Sequence, residues 1–284
     1  MSKITVEENR QYFRGFTCEV LTSNQENRQM IGVFQSSRNR NTLGHYLKTN
    51  AWEDDTEGET RIYLVKDSEH RPVLFFSLKC GLLFRSSSYD KLEESEREFI
   101  DMVVDAKKLD DQETVNSYYE YGSQEFGNID ELFQIVNKRV DAKNEIKELK
   151  DDKHTYRVDS CFSGIELKHF CKNEMYIPDE HLDFPLGFGI FWEVIVPRIL
   201  EITEHIGCKY LYLFAADHTE QADIKKLVYY YKSSLKFYEC DDDDIMLIKP
   251  EYDENCYGLV QEIAKLRENR EAVWQEYSDI SGHY

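Results

Sequence analysis

The chain is 284 residues long, 41% hydrophobic and 13% aromatic, with 55 acidic against 35 basic residues and a formal net charge of -20. Length and apolar content support one large folded domain or two modest ones and exclude a disordered chain; no apolar run is long enough to span a bilayer, so no membrane partner is expected. The acidity repels phosphates over most of the surface and argues against nucleic acid.

The start, Met1-Ser2-Lys3-Ile4-Thr5-Val6-Glu7-Glu8, lacks the apolar centre of a signal peptide. Seven cysteines without a Cys-x-x-Cys pair suit free thiols in a reducing cytosol, so a cytoplasmic location without disulfides or a zinc site is expected.

In chain order, Thr17–Leu21 reads as a strand, Asn41–Leu47 as a helix start and Glu53–Glu59 as an acidic turn. Arg61–Lys66 alternates apolar and polar residues, and Val73–Lys79 follows the turn Asp67–Pro72, so the two predict an antiparallel hairpin. From Ser86 to Lys153 the chain becomes charged and rich in helix formers. It predicts helices at Leu92–Lys108, capped by Ser88 or Asp90, at Asp110–Tyr121 and at Ile129–Lys150. This segment reads as an inserted helical layer or as a wall over a substrate cleft.

The stretch from about Ser160 to Pro250 organises the rest. Phe162–Phe170 alternates as a strand, and Pro185-Leu186-Gly187-Phe188-Gly189-Ile190 leads into an apolar helix from Phe191 to about Ile206, closed by Gly207. Cys208–Ala216 is the next strand, which makes a parallel pair with a crossover helix. Helix N-termini carry unpaired N–H groups and partial positive charge, and glycines there let a phosphate approach the backbone. A tight structural turn is the competing reading of Gly187-Phe188-Gly189. Glu220–Ser233 reads as a helix. Phe237–Glu239 and Ile245–Ile248 read as strands joined by Asp241–Asp244, a charged hairpin tip rather than a calcium loop. Tyr257–Tyr277 reads as a terminal helix that offers a packing or assembly surface, with a homodimer as one possible assembly.

Hairpin, long strand, Gly-x-Gly helix start, strand, tyrosine-bearing helix and closing hairpin together resemble the GNAT superfamily of N-acetyltransferases, over about Arg61–Lys79 and Phe162–Pro250. The resemblance implies an α/β (α+β) fold, a mixed, mostly antiparallel twisted sheet flanked by helices. It implies one GNAT-like domain over 1–284, with the helical insertion at 86–153 and a C-terminal helical extension at 255–284. Phe184-Pro185-Leu186-Gly187-Phe188-Gly189 is similar to the family's acetyl-CoA signature at both glycines and departs from it at Phe184, where the family has Gln or Arg. Acetyl-CoA would then be held by Leu167, Lys168, His169, Gly187, Phe188, Gly189, Ile190 and Phe191, its pyrophosphate on the amides from Phe188 to Phe191, with no metal.

The segment Tyr229-Tyr230-Tyr231-Lys232-Ser233-Ser234-Leu235-Lys236-Phe237 looks like the family's tyrosine segment, with Lys236 in place of glycine. It implies Tyr231, or else Tyr230, as general acid to the departing thiolate. Glu166 leads as the base that deprotonates the amine, ahead of His169; the two face opposite sides of the strand unless a bulge intervenes. Asp217 and His218 also stand at the carboxyl edge of their strand.

The activity so implied is acyl-CoA-dependent N-acyl transfer, moving an acetyl group from acetyl-CoA to a primary amine. The acidity points to a cationic small molecule or peptide as acceptor, and away from a GNAT-type toxin acting on charged tRNA. A non-catalytic scaffold on a degenerate GNAT frame is the alternative. A doubly wound oxidoreductase is the third reading, weakened by Trp192 where the third glycine of its fingerprint belongs.

Overall fold

The computed structural model describes residues 6–36, 42–85, 89, 92–145, 160–179, 181–216, 224–240, 245–247 and 256–280. The chain divides into two compact units, Met1–Leu83 with Phe162–Tyr284, and Phe84–Cys161. The first unit opens with α1 (Val6–Tyr12), β1 (Thr17–Val20), α2 (Asn27–Val33), α3 (Leu43–Thr49), α4 (Ala51–Glu57), β2 (Arg61–Lys66) and β3 (Pro72–Arg85). The second holds α5 (Glu94–Lys108), α6 (Gln112–Glu125) and α7 (Ile129–Glu145) around Phe99, Ile100, Val103, Val104, Leu132 and Val136.

After β4 (Ser160–Lys172) come α8 (Leu186–Ile190), a π-helical stretch (Phe191–Ile195) and α9 (Val196–Thr203). Then follow β5 (Tyr210–Ala215), α10 (Ile224–Ser233), β6 (Tyr238–Glu239), β7 (Ile245–Leu247), β8 (Tyr257–Glu262) and α11 (Ile263–Ile280).

The strands form one sheet in the order β1-β2-β3-β4-β5-β8-β6, with β7 beside β3. β1–β2, β2–β3, β5–β8 and β6–β8 are antiparallel and β4–β5 is parallel, so the sheet is mixed and mostly antiparallel, as expected. The hairpin pairs Arg61 with Leu78 through Lys66 with Pro72. Alternation sends Tyr63 and Val65 of β2 into the main core, which also holds α8, α9 and α11 residues. It sends Ile62 and Leu64 into a second core with Leu47 and Ala51. Both faces of the central strands are therefore covered.

Several local expectations are corrected. Tyr257–Glu262 is a strand between β5 and β6, so the terminal helix begins at Ile263; no proline or glycine separates the two, and the strand was hidden in the helical pattern. β6 and β7 do not form the expected hairpin: β6 pairs with β8 and β7 with β3. Glu53–Glu59 is largely helix α4, because Asp55 is buried and its carboxylate accepts from Thr22, Arg61 and the Ile62 amide, while Gly58 at φ 77° ends the helix. α9 stops at Thr203, ahead of Gly207. α5 is capped by Glu93 in a reciprocal capping box with Glu96. Ser88, Asp90, residues 146–153, Asp217, His218, Glu220 and Asp241–Asp244 lie outside the described residues.

Candidate functional site

β4 and β5 pair at Gly164 with Tyr210, Ile165 with Leu211 and Glu166 with Tyr212. Among the described residues the pairing ends there, while β4 runs on to Lys172 and β5 to Ala215. The amides of β4 beyond Glu166, on Leu167, Lys168 and His169, therefore have no β5 partner.

The alternation of β4 also changes at this point. Ile165, Leu167 and Phe170 all meet the main core, whereas His169 stacks on Tyr46 with ring centroids 4.3 Å apart and Cys171 joins the second core. Such a switch requires one extra residue, a bulge at Lys168. The bulge puts His169 on the same side of the sheet as Glu166. Glu166 shares its side with Gly164, where a Cβ would meet Leu83 and Tyr212 of the opposite-face cluster. Burial raises the Glu166 carboxyl above its usual range, with Lys168 and Lys79 opposing. Burial lowers His169 to about 4, helped by Lys168; its Nδ1 lies 2.8 Å from Ser77 Oγ.

The glycines lie inside the first turns of α8 rather than before it. The Phe188 and Gly189 amides already bond to the Pro185 carbonyl at 2.9 and 3.3 Å, and the Phe191 amide to Gly187 and Phe188. The amides that precede the first intrahelical bond are those of Leu186 and Gly187, one turn earlier than the expected Phe188–Phe191 run. A Cβ on Gly187 would lie 3.4 Å from Tyr230 Oη and 3.5 Å from the Phe170 ring. One on Gly189 would lie 2.3 Å from Phe13 and 2.7 Å from Phe184, so Gly189 makes room for core packing. Ile190 and Phe191 are buried in the main core, as is Phe188, which packs on Trp274. Phe184 is buried against Phe13, Phe188 and Trp274, which explains a phenylalanine at that signature position.

On α10, Ile224, Leu227, Val228 and Tyr231 form the stripe that packs on the core, and Tyr231 meets Phe237 edge-on. Tyr230 also packs on the core and has its hydroxyl at Gly187. Tyr229 is 72% exposed. Burial raises both inner phenols, Tyr231 to about 12, so both carry their protons at neutral pH. Lys236 takes φ 60°, the left-handed backbone that glycine supplies without strain, so the lysine keeps the backbone conformation glycine would give.

Sequence reasoning missed the support behind the helix. Glu193, 6% exposed, accepts from Arg10 Nε at 3.1 Å, Trp274 Nε1 at 2.6 Å and Arg270. It ties α1 and α11 to the π-helical stretch, and Trp192 Nε1 donates to the Ser234 carbonyl at 3.0 Å, tying that stretch to the end of α10. No local pattern signals partners so distant in sequence.

The elements occur in the order that the sequence resemblance implies: hairpin, long bulged strand, Gly-x-Gly helix, parallel strand and tyrosine helix. Solved structures similar to this chain include the AtaTR structure bound with acetyl-CoA, at 12% identity and TM-score 0.46, covering 89% of this chain and 96% of that one. AtaT complexed with acetyl-methionyl-tRNA is similar at 12% identity and TM-score 0.43, over 89% of this chain and 98% of the other. The KacTA–DNA complex is similar at 11% and 0.43, over 89% and 96%. No family model and no curated protein matches the sequence. The tRNA and DNA complexes correct the expectation of no nucleic-acid partner. Net charge sums over a whole surface and does not exclude a local basic contact. Among the described residues no helix is long and apolar enough to cross a membrane, and no group of His, Cys, Asp and Glu is placed to hold a metal ion.

Proposed function

We propose that the chain is an acyl-CoA-dependent N-acyltransferase that moves an acetyl group from acetyl-CoA to an amine in a ternary complex. The observation that carries it is the loss of β4–β5 pairing beyond Glu166, with the open amides of Leu186 and Gly187 and the Tyr230 hydroxyl on its α8 side. Leu186 and Gly187 fit a pyrophosphate, since helix N-terminal amides favour an anion and Gly187 has no Cβ toward Tyr230. Those amides among Leu167, Lys168 and His169 that face the open β5 side donate to the thioester and pantetheine carbonyls.

Glu166, its carboxyl raised above its usual range by burial, takes the proton of the amine directly or through water. The amine nitrogen then forms its bond to the thioester carbon and, as the carbon–sulfur bond breaks, loses its second proton to water. Tyr230 gives its proton to the departing thiolate and is reprotonated from solvent. Tyr230 is preferred to Tyr231 because its hydroxyl lies at Gly187, whereas Tyr231 packs edge-on against Phe237. The products are the N-acetylated amine and CoA.

The test is thiol release from acetyl-CoA on adding a panel of amines, with Glu166→Gln alongside. Release that depends on amine and falls about 10²-fold or more in the variant supports the reading. Absence of release with every amine contradicts it.

A further inference from the structure

The side chains on the second face of the sheet define what the acceptor carries. Ser77 of β3 faces His169, and a Cβ on Gly81 would lie 1.7 Å from Tyr212 Oη, so both residues point to this face. Lys79, midway between them on the same strand, points there too. Across β4 stands Glu166, and beyond it Tyr212, whose ring lies over Gly164 and Gly81. Lys79 is exposed and Lys168, at the bulge, half-buried, and both lie close enough to act on the Glu166 carboxylate. Among the described residues neither lysine has a carboxylate within salt-bridge distance, although the chain carries 55 acidic residues.

Resting on the acyltransferase reading, we infer that the acceptor binds on this face and carries an oxyanion, carboxylate or phosphate, beside its amine, with Lys79 as the residue that selects it. The charge of the whole chain suggested a cationic acceptor; the charges beside the base are cations. An acceptor amine must reach Glu166 between Lys79 and Lys168, where a second positive charge is repelled and an oxyanion is drawn in. The oxyanion also offsets the lysines' pull on Glu166, which keeps that carboxyl basic enough to accept a proton.

The experiment compares kcat/KM for amines of matched length: 4-aminobutanoate, 4-aminobutanol and 1,4-diaminobutane, with ethanolamine and phosphoethanolamine to separate carboxylate from phosphate. The expected order is anionic over neutral over dicationic, each step about fivefold, the upper end for one exposed ion pair. Lys79→Glu should invert the order and Lys79→Arg should keep it. Lys265→Glu, the same charge change on α11, should leave the order as in the wild type. Equal rates across the series, or an order that Lys79→Glu does not alter, overturns the inference and leaves the transferase reading standing. No transfer to any amine, together with no binding of acetyl-CoA, overturns that reading and this inference with it.

Discussion

Gly187 and Gly189 occupy one helix less than a turn apart, yet they face different surroundings. Gly187 presents its bare Cα to a hydroxyl and a ring at ordinary contact distance, whereas Gly189 is pressed against Phe13 and Phe184. Behind Gly189 the helix is fixed by aromatic packing and by the Glu193 carboxylate between two arginines and a tryptophan. In front of Gly187 stand open amides and a tyrosine hydroxyl. The comparison separates a supporting side, which should respond to mutation in stability, from a ligand side, which should respond in binding and rate.

The largest effect belongs to the supporting side. Glu193→Ala leaves Arg270 and the Trp274 indole without their buried acceptor, while Arg10 keeps Glu271, and should cost about 3 kcal/mol in denaturant unfolding. A loss under about 1 kcal/mol would mean that the cluster is solvated and does not anchor the helix.

Next come the tyrosines. Tyr230→Phe should lower turnover by about 10²-fold or more while acetyl-CoA affinity stays near normal. Tyr231→Phe should instead keep turnover within about threefold and act, if at all, on stability. The reverse outcome would return the acid role to Tyr231.

The glycines themselves sharpen the contrast. Gly189→Val forces side-chain atoms into Phe13 and should destabilise the fold by about 1–3 kcal/mol. Gly187→Val should change stability by less than about 1 kcal/mol but weaken acetyl-CoA by about tenfold or more, as its methyl groups reach toward Tyr230 and the anion site. Equal effects of the two on binding would erase the distinction.

A further effect, absent at neutral pH, is a pH dependence. His169 is held neutral, its pKa lowered from 6.5 to about 4, so the folded chain binds fewer protons than the unfolded one in that window. Its contribution to stability is fully present above pH 6.5 and is lost as pH falls toward 4. His169→Gln should therefore lose less stability than the wild type between those pH values in parallel denaturation curves.

How much was legible follows from the same contrast. β2 and β4 are legible from alternation, β3 and β5 from apolar runs that follow a turn or a helix end, and the tyrosine helix from its place between strands. The facing of each glycine is not, because it depends on Phe13 and Tyr230, far along the chain. Lys236 looked like a departure, yet it adopts the backbone that glycine would take. β8 was lost because Tyr257–Glu262 runs without a breaker into a helix. The bulge at Lys168 had no sequence mark; only the packing of Leu167, His169 and Phe170 on their different sides reveals it. Whole-chain charge misled most, about nucleic acid, since a sum over the surface says nothing about a local basic contact.

The most direct test of the account is calorimetric titration of acetyl-CoA into the purified chain and into Gly187→Val. The account predicts saturable binding at one site per chain in the wild type, weakened in the variant. No heat of binding up to millimolar acetyl-CoA, or equal affinity in both proteins, would contradict the placement of the cofactor on the Leu186–Gly187 amides.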